Sequence, residues 1–179
     1  KKVFEYSHLG GLEILKVRYP HIEKEIDEII KSIKVTSRTK VSREKTKKGK
    51  MLYSPIDMNK AFKTGFRKLG YQELKDFYSI SAYDGKHDIN AFKQIDFMKE
   101  RVLVELQFGK YAFMFYDLAK FQYFFNIKKA DVGVEIVPCY YLHREMSTGV
   151  SYGEQLVNDI ERLQRNFPSV PIKVIFLDI

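Results

Sequence analysis

From residue 102 to 108 apolar and polar positions alternate, placing Val102, Val104, Leu106 and Phe108 on one face of an extended segment and Leu103, Glu105 and Gln107 on the other. This pattern predicts a strand with one packed face and one polar face, and its bland reading is a half-exposed strand whose polar face meets water. In "PHIEKEIDEIIKSI" the period changes to helical, with Ile22, Ile26, Ile29, Ile30 and Ile33 on one side and Pro20 suited to the start. "SPIDMNKAFKTGFRKLG" predicts a second helix, capped by Ser54, with Pro55 at its first position, Asp57 in its first turn, Gly70 as its stop and Phe62, Phe66 and Leu69 packed. "FYSISAY" reads as a strand running into a turn at Asp84-Gly85. Residues 112–127 are apolar nearly all round at helical length, which destines them for the core or for another subunit. "ADVGVEIVP" and "PIKVIFLDI" read as strands, and between them "SYGEQLVNDIERLQRNF" reads as a helix opened by a capping box of Ser151 and Glu154. Strand, helix and strand in succession predict a right-handed crossover between parallel neighbours. The sum is an α/β fold, a central mixed sheet flanked by helices, in a single domain over residues 1–179 with a basic loop at about 36–50.

Composition narrows the partners. A chain of 179 residues suits one domain with a proper core. With Cys139 as its one cysteine it forms no intrachain disulfide and no zinc site, which reads as a reducing, cytoplasmic setting. The N-terminal segment lacks the apolar run of a signal peptide, and nothing approaches the roughly 18 apolar residues of a membrane span, so no membrane partner is expected. The net charge of +8 makes polyanions the first partners to consider. Much of it sits in "RTKVSREKTKKGK", where Arg38, Lys40, Arg43, Lys45, Lys47, Lys48 and Lys50 are opposed only by Glu44. That segment is either a solvated loop or an arm that tracks a phosphate backbone.

The alternating strand has a chemical consequence if it pairs with the residues before it. A hairpin of 96–99 with 102–108, turning at Glu100-Arg101, sets Asp96 directly opposite Glu105. Opposed side chains have Cβ atoms about 4.5 to 5.5 Å apart, and bare like charges there repel unless a cation or a proton resolves them. Two carboxylates with retained waters are what Mg²⁺ accepts. The register is an assumption, because Glu-Arg lacks the Gly or Asn of a favourable two-residue turn.

These residues resemble a known signature. Asp96, eight intervening residues and Glu105-Leu106-Gln107 are similar to the metal-binding motif of PD-(D/E)xK restriction endonucleases in the variant of the BglII/BamHI-like group, where Gln takes the usual Lys position. "YSHLGGLEIL", "RTKVSREKTKKGKMLYSP", "VELQFGKYAF", "VGVEI" and "EMSTGVSY" resemble segments of a type II enzyme of that group in the same order. Ile95 stands where the motif has Pro, and Gln107 lacks the charge of a Lys. The resemblance implies a PD-(D/E)xK restriction-endonuclease-like fold in which Asp96, Glu105 and the main-chain carbonyl of Leu106 hold Mg²⁺ while Gln107 orients the attacking water. It implies a homodimer that cuts double-stranded DNA at a palindrome with a GATC core (RGATCY), leaving 5′ overhangs, and that is paired with a cognate DNA methyltransferase. Alternatives are a non-catalytic nucleic-acid-binding protein on the same scaffold and a repair or junction nuclease.

Other residues carry two readings each. Lys110, after Gly109, is a base-reading residue by resemblance, and a phosphate contact or a solvated lysine by position alone. Ser147 and Thr148 are turn residues before the Ser151 cap, or a base-reading loop with Thr148 in place of a serine. His8 and His143 have no evident partner and read as structural or exposed. Asp117 and Glu135, isolated acids in apolar segments, read as paired structural carboxylates before further metal ligands.

Overall fold

Strands rich in Val and Ile that are buried on both faces suit the interior of a sheet covered by helices on each side, and three of them form the middle of this molecule. The computed structural model describes residues 1–33 and 37–179, so Thr36, the first residue of the predicted basic loop, lies outside the described residues. In chain order the elements are β1 (Lys2–His8), α1 (Gly11–Arg18), α2 (Pro20–Ser32), β2 (Lys40–Val41), β3 (Met51–Leu52), α3 (Pro55–Lys68), β4 (Gln72–Ser81) and β5 (Asp88–Lys99), followed by β6 (Val102–Leu106), α4 (Tyr111–Asn126), β7 (Val132–Pro138), α5 (Tyr140–Arg144), α6 (Gly153–Leu163) and β8 (Ile172–Leu177). Six strands make a mixed sheet in the order β1-β8-β7-β6-β5-β4, with β6, β7 and β8 parallel to one another and the rest antiparallel. The expected crossover is the β7-α6-β8 unit, and β6-α4-β7 is a second of the same kind.

The helices divide between the faces. α4 lies over the face that carries Glu105, seated by Phe121, whose ring would sit within 2.6 Å of a Cβ at Gly133. α3 covers the opposite face, where Phe62 meets Phe108 and Phe66 stacks on Phe97, with α2 packed beside it. Several local expectations hold. Pro20 opens α2, and the Ser54 side chain accepts from the Asp57 N–H at the start of α3. Gly70 follows the end of α3 at φ 83°, a conformation that favours glycine.

The structure corrects two readings and adds detail to two more. Every residue of β6 is buried, Glu105 included at 3% exposure, because α4 roofs the polar face that alternation assigned to water. No capping box forms: Tyr152 is the N-cap of α6, the Ser151 hydroxyl is buried without a partner, and the Glu154 carboxylate accepts instead from the Tyr140 N–H at the start of α5. The apolar helix is amphipathic in space. Met114, Leu118, Phe121 and Phe124 face the core, while Phe113 and Tyr116 stay 58% and 48% exposed. The basic loop is fastened down, with β2 pairing β3 inside it. Lys47 Nζ donates to the carbonyls of Arg144 (3.0 Å) and Met146 (2.8 Å), and Glu44 accepts from the Thr148 N–H at 3.1 Å.

Candidate active site

Two irregularities in β5 aim Asp96. The β4–β5 ladder pairs Gln72 with Met98 but Leu74 with Ile95, so Asp96 and Phe97 together oppose Glu73 in a β-bulge. A bulge shifts the alternation of sides and re-aims one side chain. Beyond it, β5 pairs with β6 in the expected register, Phe97 with Val104 and Lys99 with Val102. The unfavourable Glu100-Arg101 turn forms with Glu100 at φ 53°, and contacts on both residues hold it. Glu100 meets His21 at 2.6 Å, and Arg101 pairs with Asp131 at 2.7 Å and donates to the Lys128 carbonyl. The Asp96 N–H lies 3.4 Å from Glu105 Oε1, so the two acids are neighbours across the hairpin.

The acids differ in their surroundings. Asp96 is exposed and lines a cleft of ≈ 470 Å³ with Leu106, Tyr71, Gln72 and three residues of α3: Asn59, Lys63 and Arg67. Glu105 faces α4, where Lys120 Nζ stands 2.5 Å from Glu105 Oε1 and 2.7 Å from Asp117 Oδ1. Burial pushes the Glu105 carboxyl well up and Asp117 adds to the shift, while Lys120 opposes it. Burial likewise raises Asp117 against the pull of Lys120 and Gln107. For Lys120 burial acts downward, but Glu105 and Asp117 together outweigh it and hold the ammonium charged.

Gln107 is fixed by the same cluster. Its Nε2 donates to Asp117 Oδ2 at 2.8 Å, and its Oε1 accepts from the Gly109 N–H at 3.0 Å. Gly109 is needed because a Cβ there would fall 2.6 Å from that oxygen, so its role is room for Gln107 more than freedom to turn. One N–H and one lone pair of the amide remain for a water or substrate. Glu135 lies beside Glu105 in the β6–β7 register and is wholly buried, with neither carboxylate oxygen hydrogen-bonded among the described residues.

The predicted nucleic-acid residues gather at the same end of the sheet. Lys110 is the exposed N-cap of α4, and the Gly109 carbonyl accepts from Ser151 N–H, tying the 146–151 loop beside it. Thr148 is exposed, while Ser147 is buried and its hydroxyl accepts from Lys40. Arg38 pairs with Glu145 at 2.8 Å, and Lys47 is spent on carbonyls. Arg43, Lys45 and Lys48 are exposed. His8 is structural, bonded to the Pro168 carbonyl, and His143 packs against Tyr140 and Tyr152. Sequence reasoning missed Lys120, Lys63 and Arg67. Lys120 carried a signal, since it follows Asp117 by three positions in an otherwise apolar helix.

The exposed Asp96 beside the buried Glu105, with more carboxylates than cations around Glu105, offers hard oxygen donors of the kind that suit a divalent metal of the Mg²⁺ type. A mixed α/β sheet presents this donor set at the β5–β6 hairpin. Residues 3–177 match the family described as "Restriction endonuclease BglII/BglIII", and the chain belongs to that family of type II restriction endonucleases. Two solved structures share the fold. One, "Crystal structure of restriction endonuclease BGLII complexed with DNA 16-mer", is 23% identical with a TM-score of 0.77 and is covered over 76% of its length by 99% of this chain. The other, "Crystal structure of free BglII", is 21% identical with a TM-score of 0.71, over 80% of its length and 100% of this chain. No curated protein matches the sequence.

The buried, unpartnered Glu135 makes stability depend on pH. Burial drives its carboxyl well above the ordinary value, aided by Asp117 and Glu105. A raised folded pKa destabilises the fold at pH above the unfolded value of about 4.3, and the penalty fades as pH falls towards that value. Glu135→Gln is therefore expected to raise the melting temperature in EDTA more at pH 8 than at pH 5. Equal shifts at the two pH values, or a loss at pH 8, would contradict this.

Proposed function

We propose that this chain is a single-domain, cytoplasmic, Mg²⁺-dependent endonuclease that hydrolyses double-stranded DNA as a homodimer at a palindromic GATC-core site, RGATCY, leaving 5′ overhangs. The observation that carries the reading is the hairpin register that brings the Asp96 backbone beside Glu105, while Asp96 and Leu106 line one cleft. Asp96, Glu105 and the Leu106 carbonyl would hold the metal. Bound there, the ion acidifies water and draws charge from the scissile phosphate. Gln107, held by Asp117 and Gly109, turns its remaining amide hydrogen and lone pair towards the attacking water. A neutral amide suffices at that position because a cation, Lys120, is already supplied from α4. Lys63 and Arg67 line the cleft and suit a neighbouring phosphate.

The specificity terms follow the resemblance of the ordered segments to the enzyme BstYI, and the DNA complex of BglII supports DNA as the partner. Lys110 would donate to O6 and N7 of a guanine, with Thr148 and Ser147 beside it and Arg43, Lys45 and Lys48 on phosphates. The exposed Phe113 and Tyr116 of α4 offer an apolar surface to a second copy, as twofold symmetry of a palindrome requires. A cognate methyltransferase would protect the host's own sites.

Incubation with phage DNA and Mg²⁺ tests this reading. Discrete fragments are expected from the wild type, and Glu105→Ala should lose more than about 100-fold in rate, since even residues behind metal ligands cost 10- to 100-fold. Cutting by Glu105→Ala at the wild-type rate would overturn the metal assignment, structure-dependent nicking would point to a repair nuclease, and no cutting by the wild type would leave a binding protein.

Lys110 separates base reading from phosphate contact. Lys110→Ala should weaken cognate binding by about 1 to 3 kcal/mol and leave random DNA nearly unchanged. Equal weakening on both, with a salt slope lower by about one, would make it a phosphate contact.

A further inference from the structure

Beneath α4 three acids are buried together. Glu105 is on β6, Asp117 is on α4 itself and Glu135 is on β7. Among the described residues a single cation enters this group, Lys120, whose side chain is 14% exposed and bridges Glu105 and Asp117 at 2.5 and 2.7 Å. Lys120 touches Glu105 at Oε1, the oxygen that also faces the Asp96 N–H. Its ammonium therefore stands at the carboxylate shared with the candidate metal centre, and like charges a few ångströms apart in a poorly hydrated site repel strongly.

We infer that Lys120 is a positioning residue that serves as the resident counter-charge of Glu105 and competes with a divalent cation for it. The inference rests on the reading of Asp96 and Glu105 as metal ligands. Two properties of the cluster favour exchange over a purely structural ion pair. Lys120 keeps a second partner, Asp117, so losing Glu105 to an incoming ion does not strand the ammonium. Asp117 is itself held in place by Gln107, which keeps that second partner fixed during the exchange. A lysine that only positioned Glu105 would have the opposite consequence, because its removal would loosen a ligand and weaken ion binding.

The experiment is Ca²⁺ titration of the full chain, without DNA, by calorimetry and by the rise in melting temperature. Lys120→Met is expected to bind Ca²⁺ at least tenfold more tightly than wild type and to gain more thermal stability from it. Lys120→Arg keeps the charge and grips two carboxylates with a planar fork, so it is expected to bind Ca²⁺ more weakly than wild type and carries the test if Lys120→Met fails to fold. Equal or weaker binding by a folded Lys120→Met, or tighter binding by Lys120→Arg, overturns the inference. Glu105→Ala should remove the Ca²⁺ response; wild-type affinity in that variant would overturn the metal site itself.

Discussion

The contact between Lys120 and the carboxylates of Glu105 and Asp117 is what lets a charged strand occupy the middle of this sheet. Burying one carboxylate without a partner is costly, and this site buries three. One ammonium shared between two of them makes α4 a roof over β6 that is polar where it meets Glu105 and apolar along Met114, Leu118, Phe121 and Phe124. Breaking such a buried pair by removing one partner costs on the order of 3 to 5 kcal/mol, because the survivor stays charged and dry. On the proposed reading, the excess of acids over cations here is what would attract a divalent ion.

Around that contact the backbone departs from regularity where the chemistry needs it. The bulge at Asp96 and Phe97 sends the acid to the cleft and the ring to the core, where Phe97 stacks on Phe66. The turn at Glu100 adopts φ 53°, and partners on α2 and near β7 compensate for it. Downstream, the fastened basic loop lies against residues 144–148, so Lys40 and Lys47 are spent on architecture and Arg38 and Lys50 pair with Glu145, while Arg43, Lys45 and Lys48 stay exposed. Basic composition overstated the number of available cations because the neighbouring segment presents carbonyls at Arg144 and Met146 and a carboxylate at Glu145 that take up Lys47, Arg38 and Lys50.

The elements with strong periodicity were legible in the sequence: α2 from its isoleucines, α3 from its cap and stop, β7 and β8 from their Val/Ile runs. The hairpin register was only an assumption from the sequence, since Glu100-Arg101 is a poor turn and β6 is buried on both faces; the pairing of Phe97 with Val104 agrees with it. β1 and α1 were not seen, since "KVFEYSH" is a strand only through its pairing with β8 and its sides show no clean alternation. The capping box failed for a tertiary reason: Glu154 is captured by the start of α5. At the site, the acids were legible from the motif and the opposed register. For Lys120 the spacing from Asp117 signalled the pair but not its reach to Glu105, which depends on how α4 lies on the sheet, as in the packing of Phe121 on Gly133.

The molecule offers a second place where acids converge, Glu5, Glu23 and Asp27, but Lys2 and Lys173 reach into it and offset most of its charge. The two clusters thus make opposite predictions about where a divalent ion settles. The direct measurement is anomalous diffraction from crystals of the full chain soaked in Mn²⁺. A peak bounded by the carboxylates of Asp96 and Glu105 and the Leu106 carbonyl is the predicted result. A peak at Glu5, Glu23 and Asp27 with none at the hairpin would contradict the account.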